Sequence, residues 1–194
     1  MERIFFNSTQ KNMSLEDVEI NILDFINKTP RGDFKIMVGT DSQLIGQQTC
    51  FATGVVIHRV GHGAWCCINK HIEPRRITSL REKIHMETVS TYEVICTLND
   101  LITLKTSEIL LGSKDSTFKI EAHIDVGRNG ATRTLIREML GYFEGIGIPT
   151  QIKPYSFVAS SYANRFSKTT KSLDKLATFI EPSYVYAPFM PKTS

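Results

Sequence analysis

The chain has no run of about 18 apolar residues, so no transmembrane helix and no membrane partner are expected. Its first residues, Met1-Glu2-Arg3-Ile4-Phe5-Phe6-Asn7, lack the charged-then-apolar layout of a secretory leader. Cysteine is sparse and poorly placed for staples. Cys50, Cys66, Cys67 and Cys96 include an adjacent pair that a strand would turn to opposite faces, which fits neither a zinc knuckle nor a disulfide framework. They read as reduced, buried small hydrophobes in a cytoplasmic protein. There is no internal repeat and no low-complexity segment. The charge excess is only +3, which permits a nucleic-acid partner without arguing for one. Basic residues thicken from Lys70 to Lys83 and from Lys153 to Lys175; a solvated face is the plainest explanation of both.

What is present is an average globular composition, 41% hydrophobic and 22% charged over 194 residues. That length predicts one domain over 1–194, able to bury roughly 70% of its unfolded surface. It would carry an N-terminal helix over about 14–28 and a C-terminal extension over about 170–194.

Periodicity supplies the elements. Ser14 is an N-cap with Asp17 three residues on, and Leu15, Val18, Ile22, Phe25 and Ile26 share one helical face. Phe34 to Val38 is a buried strand that runs into Gly39-Thr40-Asp41-Ser42-Gln43, with Asp41 read as a strand-end acid, either a turn residue or a ligand. A long hairpin follows from Cys50 to Ile72, turning at Gly61-His62-Gly63, and Pro74 ends it. A helix is predicted from about Leu80 to about Leu104, with the stripe Leu80, Ile84, Thr91, Ile95, Leu98 and Ile102. At 100° per residue that stripe covers only about 60° of the helix, and Glu87 falls inside it while Glu82 and Glu93 do not. A carboxylate aimed into its own buried face needs a partner; an edge position reaching solvent or an arginine is the bland alternative.

Phe118 to Val126 alternates strictly, with Ile120, Ala122, Ile124 and Val126 on one face and Glu121, His123 and Asp125 on the other, as in a strand exposed on one side. It ends in Asp125 and a glycine-rich turn. A helix over about Thr132–Gly145, a short strand over Thr150–Lys153 and a helix over about Val158–Lys168 complete the pattern, the last with Ala159, Ala163 and Phe166 on one face. Lys171 to Phe179 is compatible with a further helix.

Three consecutive strands followed by alternating helix and strand form an α/β arrangement, in the order of the ribonuclease H-like fold with its mixed five-stranded sheet flanked by helices. That topology would bring Asp41, Glu87 and Asp125 to one edge of the sheet. Converging carboxylates repel unless a hard divalent cation lies among them, and Mg2+ or Mn2+ bound to such oxygens can activate water against a phosphodiester. His123, beside Asp125, is a candidate proton shuttle or supporting ligand, or simply a hydrogen-bonded neighbour. Arg128, Arg133, Lys153, Arg165 and Lys168 are candidates for holding phosphates, and Tyr155 and Tyr162 for stacking on bases; Phe157 reads as core.

The motifs Val38-Gly39-Thr40-Asp41-Ser42-Gln43, Leu80-Arg81-Glu82-Lys83-Ile84 leading to Glu87-Thr88, and His123-Ile124-Asp125-Val126-Gly127 resemble those of the YkuK family of bacterial ribonuclease H-like proteins. The likeness continues through Ile152-Lys153-Pro154 and Ser156 to Arg165 and covers about residues 5 to 170. It implies the ribonuclease H-like fold. Nucleases of that fold usually carry a further acid on the last helix; here the candidate position is Asn164, a neutral ligand off the Ala159–Ala163–Phe166 face. Two functions follow as expectations: a metal-dependent nuclease acting on RNA or DNA, or a non-catalytic module that binds nucleic acid or protein. A phosphate loop of the actin-like ATPase kind, from Asp125-x-Gly127 and Thr132-Arg133, would need a duplicated domain that 194 residues do not provide.

Overall fold

The computed structural model describes residues 3–168, apart from 114 and 129–131. The expected extension over 170–194, with its Lys171–Phe179 helix, lies outside the described residues.

The sheet is built around β2 (Asp33–Ile45). It pairs antiparallel with β3 (Gln48–Arg59), which pairs antiparallel with β4 (Gly63–Glu73). On its other side β2 pairs in parallel with β5 (Thr117–His123), and β5 with the short β6 (Thr150–Gln151). The sheet has six strands rather than five: β1 (Phe5–Phe6), which the sequence pattern did not distinguish, joins the far edge against β4, giving the order β1-β4-β3-β2-β5-β6. Two residues are too few for a period to show, and both phenylalanines are buried because Phe5 and Phe6 enter the apolar layers on opposite faces.

One face of the sheet is covered by α1 (Leu15–Asn27), α2 (Leu80–Leu110) and α3 (Ile136–Glu144). The Ser14–Asp17 capping box forms in both directions. Ile36, Val38, Val55, Ile57, Ile120 and Ala122 from the strands meet Val18, Ile22, Ile84, Ile95, Leu98, Ile102, Met139 and Phe143 from the helices in one core. α2 runs six residues past the predicted end, and Leu80 is exposed, so the buried stripe begins at Ile84.

The other face is covered by the last helical segment, a π-helical stretch over Val158–Ala163 that continues into α4 (Asn164–Ser167). Its span matches expectation but its winding does not, because the wider turn lets Val158, Ala159 and Ala163 all face the strands. Two cross-strand glycines make the approach close. A Cβ at Gly39 would stand 2.7 Å from the Ala159 nitrogen, and one at Gly54 would stand 2.6 Å from the Tyr162 ring. The second half of β5, Ile120 to His123, is therefore buried on both faces: Glu121 and His123, expected on an exposed surface, are both covered, His123 by the start of this segment. The segment over 132–145 opens with a 3₁₀ turn at Arg133–Leu135 before α3 begins.

Candidate active site

Asp41 does not end its strand. β2 continues four residues beyond it, pairing with β3 as far as Ile45, and returns through the two-residue connection Gly46-Gln47, where Gly46 has φ +59°. Asp41 stands opposite Ala52 in that ladder, so it is not a turn residue. The special feature of its position is on the other side: the parallel ladder with β5 stops at Gly39 opposite His123. Beyond that point β2 has lost a neighbour, and the gap between its continuation and the diverging segment Ile124–Val126 is where Asp41 lies. That segment stays extended through bonds from Ile124 N to Gln151 O and from Lys153 N to Val126 O. Asp125 thus lies just past the end of β5. Thr132 closes the following loop by accepting from the Gly127 amide at 3.1 Å.

Successive residues of β2 point to opposite faces. Thr40 faces α2, where Thr91 Oγ1 donates to it at 2.9 Å, and Thr40 and Thr53 share a further hydroxyl bond of 3.0 Å. This buried chain fixes α2 against β2 one turn past Glu87. Ser42, on the same face, donates to Glu87 Oε1 at 2.7 Å. Asp41 points the other way, toward the last helix, and accepts from Ser167 Oγ at 2.5 Å. Asp41 and Glu87 are each only 5% exposed. Neither forms an ion pair among the described residues.

The electrostatics follow from this placement. Burial pushes the Glu87 carboxyl up to about 8, against the bond from Ser42, and the Asp41 and Asp125 charges push in the same direction while Lys83 opposes them. Burial also raises Asp41, Ser167 opposes it, Asp125 adds to the rise, and Lys83 and Lys168 lower it. The acids of β2, α2 and the end of β5 therefore sense one another. Asp125 is the most exposed of the three and has the Lys153 ammonium 3.0 Å from Oδ1. That separation makes an ion pair without hydrogen-bond alignment, since the same oxygen lacks a hydrogen-bond partner.

Among the described residues no three His, Cys, Asp or Glu side chains are gathered as they stand into a metal-holding group. The donor chemistry of Asp41, Glu87 and Asp125 suits a hard cation, being carboxylate oxygen throughout.

The remaining predicted residues divide. His123 accepts the Val158 amide at Nδ1, 3.2 Å, which leaves Nε2 to carry the proton. Nε2 lies 3.8 Å from Glu121 Oε2, and the ring packs edge-on against Phe157. It is a hydrogen-bonded neighbour under the last helix. The Asn164 amide nitrogen donates back to Ser160 O within its own helical segment. The hydrogen bond from that segment to the acids comes from Ser167 instead. It was missed in the sequence; the one signal there was that Ser167 lies four residues beyond Ala163 on the apolar face. Ser42 was likewise legible as the residue after Asp41, necessarily on the α2 face. Arg128 and Arg133 are exposed, as are Arg165 and Lys168. Lys153 is drawn to Asp125, and the Tyr162 ring packs on Phe6, Val56 and Phe166 rather than standing free. Tyr155 is 58% exposed.

The comparisons agree with this architecture. The family model for ribonuclease H-like proteins matches residues 17–168. A Bacillus subtilis (strain 168) protein named "Uncharacterized protein YkuK" is 40% identical over 169 residues, covering 85% of this chain and 97% of its own length. The chain is a YkuK-family ribonuclease H-like protein. No solved structure matches it. In this YkuK-family chain the parallel pairing of β2 with β5 and the strand order around it are those expected of the fold. No helix among the described residues is long and apolar enough to cross a membrane.

Proposed function

We propose that this protein is a divalent-metal-dependent nuclease or phosphodiesterase acting on RNA or DNA. The observation that carries the reading is the pair Asp41 and Glu87, two buried carboxylates held by single hydroxyls and by no cation. Burying a carboxylate without a counter-charge is unfavourable by several kcal/mol (order of magnitude); here burial raises the proton affinity of both groups, and the Asp41 charge raises that of Glu87 further. A fold keeps such a pair when something else supplies the charge.

Asp41, Glu87 and Asp125 would hold a magnesium or manganese ion, exchanging their contacts with Ser167, Ser42 and Lys153 for it. Bound there, the ion supplies an acidified water and charge neutralisation at the phosphodiester. The chain's own groups do the remaining work. Ser42 and Ser167 hold the carboxylates in place before the ion arrives. The Thr91–Thr40–Thr53 hydroxyl chain keeps α2 in register with β2. Lys83 and Lys168, which already favour the ionised form of Asp41, draw a phosphate toward the acids.

The test is cleavage of labelled single-stranded RNA, single-stranded DNA and RNA–DNA hybrid in Mg2+, Mn2+ or chelator. Metal-dependent cleavage that disappears in Asp41→Ala is the expected result. Wild-type protein that cuts none of these with either metal removes the activity, and equal cleavage by the variant removes the site.

One observation favours a second reading, a binding module without catalysis: the hydrogen bond that the last helix gives Asp41 comes from a neutral hydroxyl, Ser167, and the helix brings no acid to it. Calorimetry that registers no Mg2+ or Mn2+ binding, together with nucleic-acid binding that persists in chelator, would select it.

A further inference from the structure

Arg128 lines two neighbouring grooves. One, of about 890 Å³, runs along α3 and is bordered by Arg128, Arg133, Thr134, Arg137 and Glu144 over an apolar floor of Ile136 and Leu140. The other, of about 590 Å³, is bordered by Gly127, Arg128, Ile152, Lys153, Pro154 and Tyr155. Arg128, Arg133 and Arg137 are all exposed, and none of their guanidinium groups has a hydrogen bond or ion pair among the described residues. The nearby acid Glu138 does not offset them, because Arg81 of α2 holds it at 2.6 Å. Glu144 is the one carboxylate lining the first groove, two turns beyond Arg137, and it ends the cationic stretch. Arg133 and Arg137, four residues apart, are separated by about 6 Å along the helix axis. That is the scale of one nucleotide step in an extended strand. Tyr155, in the second groove, presents a ring 58% exposed beside Pro154 and Lys153. Lys153 in turn sits on Asp125. An aromatic platform next to the acids and a row of unpaired arginines leading away from them form the two parts of a single-strand site: stacking on one base and bidentate capture of successive phosphates.

We infer that these grooves form a binding track for single-stranded nucleic acid, read through its phosphates and one stacked base, leading from Asp125 along α3. Arg137 is the residue that extends it beyond the positions the sequence suggested. The inference deepens the nuclease reading and rests on it for the direction of the strand, but binding along the track needs no metal. Duplex is excluded as the preferred partner, since paired bases offer Tyr155 no free face.

The experiment uses the full chain in chelator, with fluorescence anisotropy of labelled 20-mers of single-stranded RNA, single-stranded DNA and duplex DNA across a salt series. Wild type should bind both single strands more tightly than duplex. Arg133→Ala and Arg137→Ala should each flatten the slope of log K against log [salt] by about 0.7, and the double variant by about twice that. Tyr155→Ala should weaken binding roughly tenfold with an unchanged slope. These exposed side chains are removed without disturbing the core, so circular dichroism should be unaltered. Absence of single-strand binding, unchanged slopes in the arginine variants, or a preference for duplex overturns the track. Because no metal is present, that outcome is separate from failure of the cleavage test, and binding without cleavage leaves the track standing while the nuclease reading falls.

Discussion

Two buried glutamates on neighbouring elements contrast in what satisfies them. Glu121 of β5 and Glu87 of α2 are both 5% exposed. Glu121 is paired with Lys119 at one oxygen and faces His123 at the other, and the imidazole first, then Lys119, hold its carboxyl down at about 2. Glu87 has the Ser42 hydroxyl and the repulsion of Asp41 and Asp125, and it is pushed up to about 8. The first is a completed structural ion pair and the second is an acid without a counter-charge to ionise against. Burial alone, which they share, is uninformative; the partner decides which buried acid is a functional candidate.

The largest difference should appear in catalysis. Glu87→Ala should lower metal-dependent cleavage by about 100-fold or more, whereas Glu121→Gln should leave it within a few-fold, measured as initial rates on the best substrate from the cleavage panel. Equal losses would break the distinction between the two acids.

Stability should next differ in sign. At pH 8 without metal, Glu87→Gln removes a poorly compensated acid and should stabilise the protein by a few kcal/mol (order of magnitude) in urea unfolding. Glu121→Gln leaves Lys119 and His123 without their partner and should destabilise by about 1 kcal/mol, allowing for screening of the half-exposed lysine. Destabilisation by Glu87→Gln would show that its charge is compensated after all.

The pH dependence follows the same logic. Between about 4.5, where the unfolded chain loses the Glu87 proton, and about 8, the folded protein keeps it, so stability falls as pH rises through this window. The raised Asp41 contributes with the same sign. Glu121 acts oppositely: its contribution is present above about 4.5 and is lost as pH falls toward about 2. Metal-free wild type should therefore show a falling Tm from pH 5 to pH 8 that Mn2+ flattens, and Glu87→Gln should be flatter without metal. A wild-type profile that rises across that range contradicts the assignment.

The smallest effect is at Ser167. Ser167→Ala removes one hydrogen bond to an acid and should change stability by about 1–2 kcal/mol. Ser167→Asp adds a carboxylate beside Asp41, and calorimetry should register tighter Mn2+ binding than in wild type.

Much of this was legible from periodicity. The apolar stripe of α2 isolated Glu87 from Glu82 and Glu93 because helical spacing is a local property, and the structure buries Glu87 alone of the three. Alternation carried the strand to Val126, but β5 ends at His123 and leaves Asp125 just beyond it, and alternation misjudged the face of Glu121 and His123. A strand covered by a later helix looks, residue by residue, like one facing water when its polar groups find partners there. Asn164 was chosen by residue type; the π-helical winding of Val158–Ala163 leaves its amide bonded to Ser160 and turns Ser167 to Asp41, and a six-residue change of helical pitch leaves no mark in composition.

The sequence by itself determined the order of strands and helices beyond β1, the apolar faces that select the fold, and two of the acids that stand apart, because these depend on spacing along the chain. Tertiary structure decided which acids lack a cation, that Asp41 lies within its strand at the point where β5 diverges, and that Ser42 and Ser167 are the groups holding the acids. Those facts depend on distances between residues 45 and 126 positions apart, and a carboxylate's energy is set by the charges and donors around it in space.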